Sequence, residues 1–375
     1  MSNFIFIPGF DADVFAQQIN SWKTTHPEAG LVAMIPEARH DHIGELQDLC
    51  RGLKVPLVGA VFPLLLADGQ FQTDGVVLVC FEKMPPFYLE ENLPQEETEL
   101  EQRVQNMAGR ISSQTDDEDN TTLLVIFDAM LPHISTILEK LYLHLADSVQ
   151  YMGANAGSET FQPMPCLFNN HEIIENGVLA LLLSPHTGAA LEHGYCAPEH
   201  LIAATSTAGN RIISINWRPA FDVYRERIRE QYAVDVTSDN FYQYAVHFPF
   251  GIMRADGEVL VRIPVALAED NSLFCVGEVP ENAILTLLDA PEAKSLHTVE
   301  QLLKQCDDSD RDILTFYCAG RRMHLGESAN SELELLQEQM GNRSLYGALS
   351  LGEIGSSRKG GYPLFHNASL VCATI

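Results

Sequence analysis

Two stretches of this 375-residue chain carry side chains whose types and spacing could support chemistry. Near the C-terminus, Glu353 stands between Gly352 and Ile354-Gly355, and His366 follows a polar, Gly- and Pro-containing segment from Ser356 to Pro363. Apolar runs on both sides, Leu345–Leu351 and Ala368–Thr374, predict an antiparallel pair closed by a long turn, with Glu353 and His366 facing each other at its mouth. A carboxylate beside an imidazole is an acid/base pair in principle. A carboxylate flanked by glycines equally suits a structural role, accepting backbone N–H groups and clamping the loop. The second stretch is Leu191-Glu-His193-Gly-Tyr195-Cys196-Ala-Pro-Glu-His200. Its His-x-x-Cys-x-x-x-His spacing could hold a metal ion, although the second cysteine pair of many structural zinc sites is missing.

Neither stretch comes with the rest of a catalytic apparatus. The chain has no G-x-S-x-G elbow, no P-loop, no H-E-x-x-H, and no G-x-G-x-x-G opening a helix after a strand. Gly153-Ala-Asn155-Ala-Gly157 has the look of a phosphate cradle, but it follows a predicted helix where a cradle precedes one, and no lysine is placed to help. The expectation is a protein that is not an enzyme.

The elements that must position these residues begin strand–helix–strand–helix–strand. Phe4–Ile7 and Leu31–Ile35 are strand-like, a helix runs from Ala12 to about Lys23 behind Asp11, and another over 42–53 aligns Ile43, Leu46, Leu49 and Leu53. Val55–Val61 and Val76–Phe81 add further strands, which makes an α/β domain with partly parallel pairing. Glu96–Ile111 predicts a polar helix and 112–120 an acidic, solvated loop. Leu123–Phe127 resumes the sheet, and Pro132 opens a helix to about Val149.

The second half echoes the first. Phe248-Pro249…Ala255-Asp-Gly257 matches Phe62-Pro63…Ala67-Asp-Gly69, Ile313–Tyr317 matches Leu123–Phe127, Tyr346-Gly-Ala348 matches Met152-Gly-Ala154, and Phe365-His-Asn367 matches Phe168-Asn-Asn170. Four echoes in one order predict two structurally related lobes, 1–185 and 186–375, each a mixed β-sheet with flanking helices. Gly-rich strand ends leave backbone groups exposed and invite a ligand pocket near the inter-lobe region. Its lining candidates are Gly153, Asn155 and Gly157 on one side, and Glu353, His366 and Asn367 on the other.

Composition sets outer bounds. Hydrophobic content of 46% with 20% charged residues is that of a soluble globular chain. A net charge of −28 repels nucleic acid and anionic lipid and favours basic partners. Eight cysteines form no C-x-x-C pair, and several lie in apolar runs where a thiol behaves as a small hydrophobe. No apolar run reaches the ~18–20 residues of a membrane span, and Met1 opens no apolar leader. These features predict a cytoplasmic protein with reduced thiols and no nucleic-acid partner.

Ala204-Thr-Ser-Thr-Ala-Gly-Asn210-Arg-Ile-Ile-Ser-Ile215, Pro219-Ala220, Tyr224, Phe248-Pro-Phe-Gly251, Tyr317-Cys-Ala-Gly-Arg321, Leu349-Ser-Leu-Gly-Glu-Ile-Gly355 and Phe365-His-Asn367 follow one another as in the FIST sensory domain, which the chain resembles. The resemblance is specific over Ala204–Ile375 and weaker over the first half, where Gly153–Gly157 carries it. Most members have a Gly-Cys-Ser-Thr-like run before an early strand, whereas this chain has Gly59-Ala-Val-Phe-Pro63. The resemblance implies a bacterial intracellular input module that binds a small ligand and signals to a partner, either a histidine kinase or a cyclic-di-GMP enzyme. Free-standing members include nitric-oxide sensors of the NosP type, and on that resemblance haem b is the expected cofactor and nitric oxide the expected gaseous ligand.

Haem held without covalent attachment needs an axial ligand in an apolar pocket. His193, followed by a glycine that lets a flat macrocycle approach, is the first candidate for the iron. His247 beside Phe248-Pro-Phe250 is the second, with Tyr195 and Cys196 as other possible ligands. Two rival readings stay open: a FIST domain that binds an amino acid or similar metabolite without haem, and an acidic interaction scaffold with no ligand.

Overall fold

The computed structural model describes residues 2–115, 120–291, 297–306, 311–356 and 361–375. The expected alternation at the N-terminus is present as β1 (Ser2–Ile7), α1 (Ala12–Thr25), β2 (Gly30–Pro36), α2 (Ile43–Leu53) and β3 (Leu57–Phe62), then a hairpin of β4 (Leu65–Ala67) and β5 (Gln70–Gln72), and β6 (Val76–Phe81). Local chemistry explains the start of α1: Asp11 Oδ1 accepts from the Asp13 and Val14 N–H groups at 2.9 and 3.2 Å. Strands β2 and β3 are buried along their whole length, as continuous apolar runs require. They pair in parallel, while β6 lies antiparallel between β1 and β2.

The same unit then recurs. Its second copy is β7 (Phe87–Glu90), α3 (Glu97–Ser112), β8 (Thr122–Asp128), α4 (Ile134–Leu145), β9 (Gln150–Ala156), the hairpin β10 (Leu167–Asn169) and β11 (Ile173–Ile174), and β12 (Val178–Leu183). Again two neighbours, β8 and β9, are parallel, and β12 lies antiparallel between β7 and β8. The third copy opens with β13 (Ala190–Glu192) and is interrupted by an inserted sheet. That insertion holds β14 (Ile202–Ala208), β15 (Arg211–Ile215), β16 (Arg218–Pro219), α5 (Ala220–Tyr232), α6 (Phe241–Ala245), β17 (Phe250–Met253), β18 (Val259–Arg262), β19 (Pro264–Leu267), β20 (Leu273–Cys275) and β21 (Ile284–Leu287). The copy resumes with α7 (His297–Gln305), β22 (Ile313–Cys318), α8 (Ala319–Leu325), α9 (Ser328–Gln339) and β23 (Leu345–Ser350). It ends in the hairpin β24 (Glu353–Gly355) and β25 (Leu364–His366), followed by β26 (Leu370–Thr374).

Each hairpin leaves its own unit and completes a neighbour's sheet. β4 pairs with β23, β10 with β3, and β24 with β9, so the three sheets are linked in a closed cycle. One glycine per unit makes the parallel pair possible. Gly59, Gly153 and Gly347 stand opposite Ala33, Val125 and Thr315, and each is followed by a buried alanine. A Cβ on any of the three would lie 2.3, 1.9 or 1.7 Å from its partner's carbonyl oxygen. The facing sheets share a core in which Phe62 meets Phe316 at 5.9 Å and Phe4 stacks on Tyr346 at 5.0 Å.

The expectation of a mixed α/β fold holds, and the strand order sorts the four echoes. Ile313–Tyr317 and Leu123–Phe127 occupy equivalent strands, β22 and β8, and Tyr346–Ala348 and Met152–Ala154 likewise fall in β23 and β9. The other two echoes join unlike places. Phe248–Gly257 belongs to the inserted sheet, and Phe168 and Phe365 sit in different strands of their hairpins. Ala-Asp-Gly recurs because a tight turn needs positive φ, as at Asp68 (51°), Gly69 (72°) and Gly257 (85°), not because the turns are equivalent.

The predicted pairing of Leu345–Leu351 with Ala368–Thr374 is not formed: β22 lies between β23 and β26. The closing hairpin is β24–β25, reached after a turn at Gly352 (φ 148°) that carries the chain to the neighbouring sheet. Helix α3 is less polar in effect than its sequence suggests, since Leu100, Val104, Met107 and Ile111 are buried. The central part of the expected acidic loop, 116–119, and residues 357–360 of the C-terminal turn lie outside the described residues. All eight cysteines are free thiols. Among the described residues no helix is long and apolar enough to cross a membrane.

Candidate functional site

Helix α4 and the hairpin strand β25 face the inserted sheet across a cleft. One chamber, of about 640 Å³, is lined by Ser135, Thr136 and Glu139 of α4, by Thr207 of β14, and by Arg262 of β18. A second, of about 460 Å³, lies deeper in sequence terms, against Asn155 and the residues leading into α4. Gly209, Glu278 and Phe365 line both chambers.

Glu278 ties the two walls together. The residue before α4, His133, has a left-handed backbone (φ 61°) and provides no side-chain cap. Glu278 supplies one from the opposite wall: its carboxylate accepts the Thr136 N–H at 3.1 Å and the Thr136 hydroxyl at 2.6 Å, with His133 Nδ1 at 3.3 Å. A carboxylate at a helix N-terminus answers both the free N–H groups and the helix dipole.

Arg262 is only 1% exposed. Its Nε donates to the Glu278 carbonyl at 2.9 Å, and Nη1 donates to the carbonyls of Val261 at 3.0 Å and Phe365 at 2.8 Å. Among the described residues Nη2 makes only a 3.4 Å contact with Ser135 Oγ, and the guanidinium lies 5.4 Å from the Phe365 ring centre. Burial pulls its pKa down to about 10, so it stays charged at neutral pH. Sequence reasoning missed this residue. The available signal was one arginine in the otherwise apolar run Val259-Leu-Val-Arg262-Ile263.

Of the residues expected from the first half, Asn155 lines the smaller chamber, while Gly153 and Gly157 serve the backbone. Asn155 is 1% exposed, its backbone exchanges bonds with Gly352 and Leu351 at 2.8 and 3.0 Å, and its Oδ1 has no partner among the described residues. Gly153 packs on Val125, and Gly157 donates to the Val61 carbonyl at 2.8 Å.

At the C-terminal hairpin, Glu353 and His366 are register partners as expected, but Glu353 bonds elsewhere. Its carboxylate accepts from Ser350 Oγ at 2.5 Å, Ser369 Oγ at 2.8 Å and the Ser369 N–H at 3.3 Å, which fastens the ends of β23 and β26. His366 is fully buried, with Nε2 3.8 Å from Glu258 and no hydrogen-bond partner for its ring nitrogens among the described residues. Burial, then the positive charge around it, holds that imidazole neutral. Asn367 accepts from the Ile263 N–H at 3.3 Å and lines a separate apolar cavity of about 250 Å³. The hairpin strand reaches the cleft through Leu364 and Phe365.

Burial lifts the Glu353 carboxyl to about 7, against the bonds from Ser350 and Ser369. Between the usual carboxylate range and pH 7 the folded state therefore binds a proton that the unfolded state has released. Stability is expected to fall over that window by up to about 1.4 kcal/mol per pH unit and to level off above it. Urea titrations across pH should show this slope in the native protein and a flatter line in Glu353→Gln.

The residues expected at the iron lie apart from the cleft. His193 Nδ1 accepts the Tyr195 N–H at 2.9 Å and Nε2 faces the Val259 carbonyl at 3.2 Å, so both ring nitrogens are engaged, with the proton assigned to Nε2. His247 Nδ1 meets His324 Nδ1 at 2.9 Å, and burial lowers the pKa of both. Tyr195 is buried, whereas Cys196 is exposed and its backbone bridges to Asp289. None of these four residues lines the three cavities described above. Among the described residues no group of three or more His, Cys, Asp or Glu could hold a metal ion. The hydrogen bonds at both His193 nitrogens and the His247–His324 contact compete with iron ligation at those atoms. Beside them lies a second residue set that sequence reasoning left unassigned. Arg321, also 1% exposed, forms a two-point pair with Glu332 at 2.6 and 2.8 Å, joined by the Tyr317 hydroxyl at 2.6 Å.

A module of linked α/β units whose walls enclose a polar cleft has the form of a small-molecule receptor. The FIST N domain matches residues 30–218 and the FIST C domain residues 220–356. The chain belongs to the FIST family, whose domains serve small-ligand sensing in signal transduction. No curated protein matches it. The two matches adjoin at 218 and 220, with β14 and β15 of the inserted sheet inside the N match. The cleft is lined from both: Ser135 and Thr207 come from the N domain, Arg262 and Glu278 from the C domain.

Proposed function

We propose that this protein is a signal-input module that takes a small polar metabolite in the cleft between α4 and the inserted sheet. The observation that carries this reading is the 640 Å³ chamber at the seam of the two FIST domains, with the buried Arg262 in its wall. A chamber of that size suits a metabolite, and a few placed polar groups in an otherwise packed wall fix its orientation. A ligand there touches both domains and the Glu278 contact that joins them. It can shift the protein between states only to the extent that it binds those states unequally. For the output partner the family resemblance suggests a histidine kinase or a cyclic-di-GMP enzyme, and the charge of −28 favours a basic docking face on it. The haem and nitric-oxide reading has less support, because His193 and His247 are engaged with Val259, Tyr195 and His324.

One screen separates the readings. Melting curves against a library of small metabolites, with the absorption spectrum of protein expressed in haem-replete cells, should give a raised Tm with one compound class and no Soret band. A Soret band that shifts on reduction and with nitric oxide would replace this reading by the haem sensor. A colourless protein stabilised by nothing would leave an acidic scaffold.

A further inference from the structure

Among the described residues two arginines are each 1% exposed, and the fold treats them differently. Moving a guanidinium out of water is costly unless its charge and donors are answered. Arg321 is answered by the Glu332 carboxylate through two short bonds. Arg262 is answered by three carbonyl oxygens and a long contact to the Ser135 hydroxyl, and among the described residues no carboxylate pairs with it. The Glu278 carboxylate is committed to Thr136 and His133 instead. Both Nη1 hydrogens are used, whereas Nη2 offers two N–H donors to one 3.4 Å contact at Ser135, beside the chamber.

We propose that Arg262 Nη2 and Ser135 Oγ form a carboxylate subsite, so that the cleft selects a small monocarboxylate. The proposal rests on the cleft being the sensory site. A planar, buried guanidinium with free donors is a strong carboxylate recogniser, since charge-assisted bonds exceed neutral ones. Glu139 and Glu281 line the same chamber. Their charge disfavours a second anionic group on the ligand, and so excludes dicarboxylates and phosphates, while an ammonium group on the ligand is welcome there. Arg254, whose guanidinium lies over Tyr362 at 5.6 Å, adds positive potential at the same cavity.

The test is a set of melting and calorimetric titrations with L-amino acids, acetate, lactate and succinate, each beside its carboxamide. At least one monocarboxylate is expected to stabilise the protein while its amide and succinate do not. Arg262→Lys should weaken that binding by about ten-fold or more, since a point charge replaces a fork. Because Arg262 also holds three carbonyls, Ser135→Leu provides a second variant: it removes the hydroxyl and sets an apolar branch beside Arg262 Nη2, leaves those three bonds in place, and should abolish binding. Equal binding of acid and amide, or binding that survives Ser135→Leu, would overturn the subsite. If a neutral metabolite binds and Ser135→Leu abolishes it, the carboxylate subsite falls and the sensory cleft stands. If no compound of any class binds, both fall.

Discussion

Glu332→Ala is expected to destabilise the fold by about 3–5 kcal/mol, because it strands the Arg321 charge in the interior. The Arg321 guanidinium cannot relax into water: it is 1% exposed and also donates to the carbonyls of His193 at 2.6 Å and Ala368 at 3.2 Å. Those bonds hold the segment after β13 against the start of β26. The loss should therefore appear in unfolding cooperativity as well as in the midpoint. Arg321→Met with Glu332→Leu should be less damaging than either single change, since a packed apolar pair avoids the stranded charge. Acid should mimic the single variant. Burial pushes the Glu332 carboxyl up, but Arg321 outweighs burial and sets it below the ordinary value. Its contribution is thus complete above the unfolded carboxylate range and is lost as pH falls through the folded pKa. Urea denaturation of the two singles and the double, at neutral and acid pH, measures all of this.

Gly347→Ala should cost at or beyond the upper end of the ~1–3 kcal/mol of overpacking. The new methyl would lie 1.7 Å from the Thr315 carbonyl oxygen and 2.7 Å from its carbon, and a backbone group inside a parallel ladder cannot step aside. Gly59→Ala and Gly153→Ala should behave alike, with contacts of 2.3 and 1.9 Å at the equivalent places. Gly109, in α3 with nothing within 4 Å, provides the opposite case. Gly109→Ala is expected to raise stability by about 0.5–1 kcal/mol through helix propensity. Thermal melts of the four variants would decide it. Three equal losses beside one gain identify the glycines as the repeated feature of the three units.

Those glycines also show why the sequence revealed the class of fold more readily than its repeat. Buried parallel strands need continuous apolar runs, and Leu31–Ile35, Leu123–Phe127 and Ile313–Tyr317 announce themselves that way. The unit behind them shares little beyond a Gly-Ala pair in β3, β9 and β23, and its third copy is split by the inserted sheet between β13 and α7. Hairpin exchange hid the pairing too. Residues 345–351 and 368–374 are adjacent apolar runs, and nothing local states that β22 will lie between them.

The site was legible in part. Of the expected lining residues Asn155 lines the smaller chamber, and the Phe365-His366-Asn367 run borders the proposed cleft through Phe365. Arg262 was hidden because its significance rests on partners 16, 103 and 127 residues away, at Glu278, Phe365 and Ser135. His193 attracted attention by its glycine neighbour, yet that turn is used locally, with Tyr195 bonded back to the ring.

The central claim is that the cleft between α4 and the inserted sheet holds the ligand. A crystal structure with the compound that most raises Tm tests it directly. The account predicts density in the chamber between Ser135 and Arg262, with the ligand's carboxylate on Arg262 Nη2 and the Glu278–Thr136 contact altered. Density beside His193 or His247, or a cleft unchanged by a bound ligand elsewhere, would contradict it.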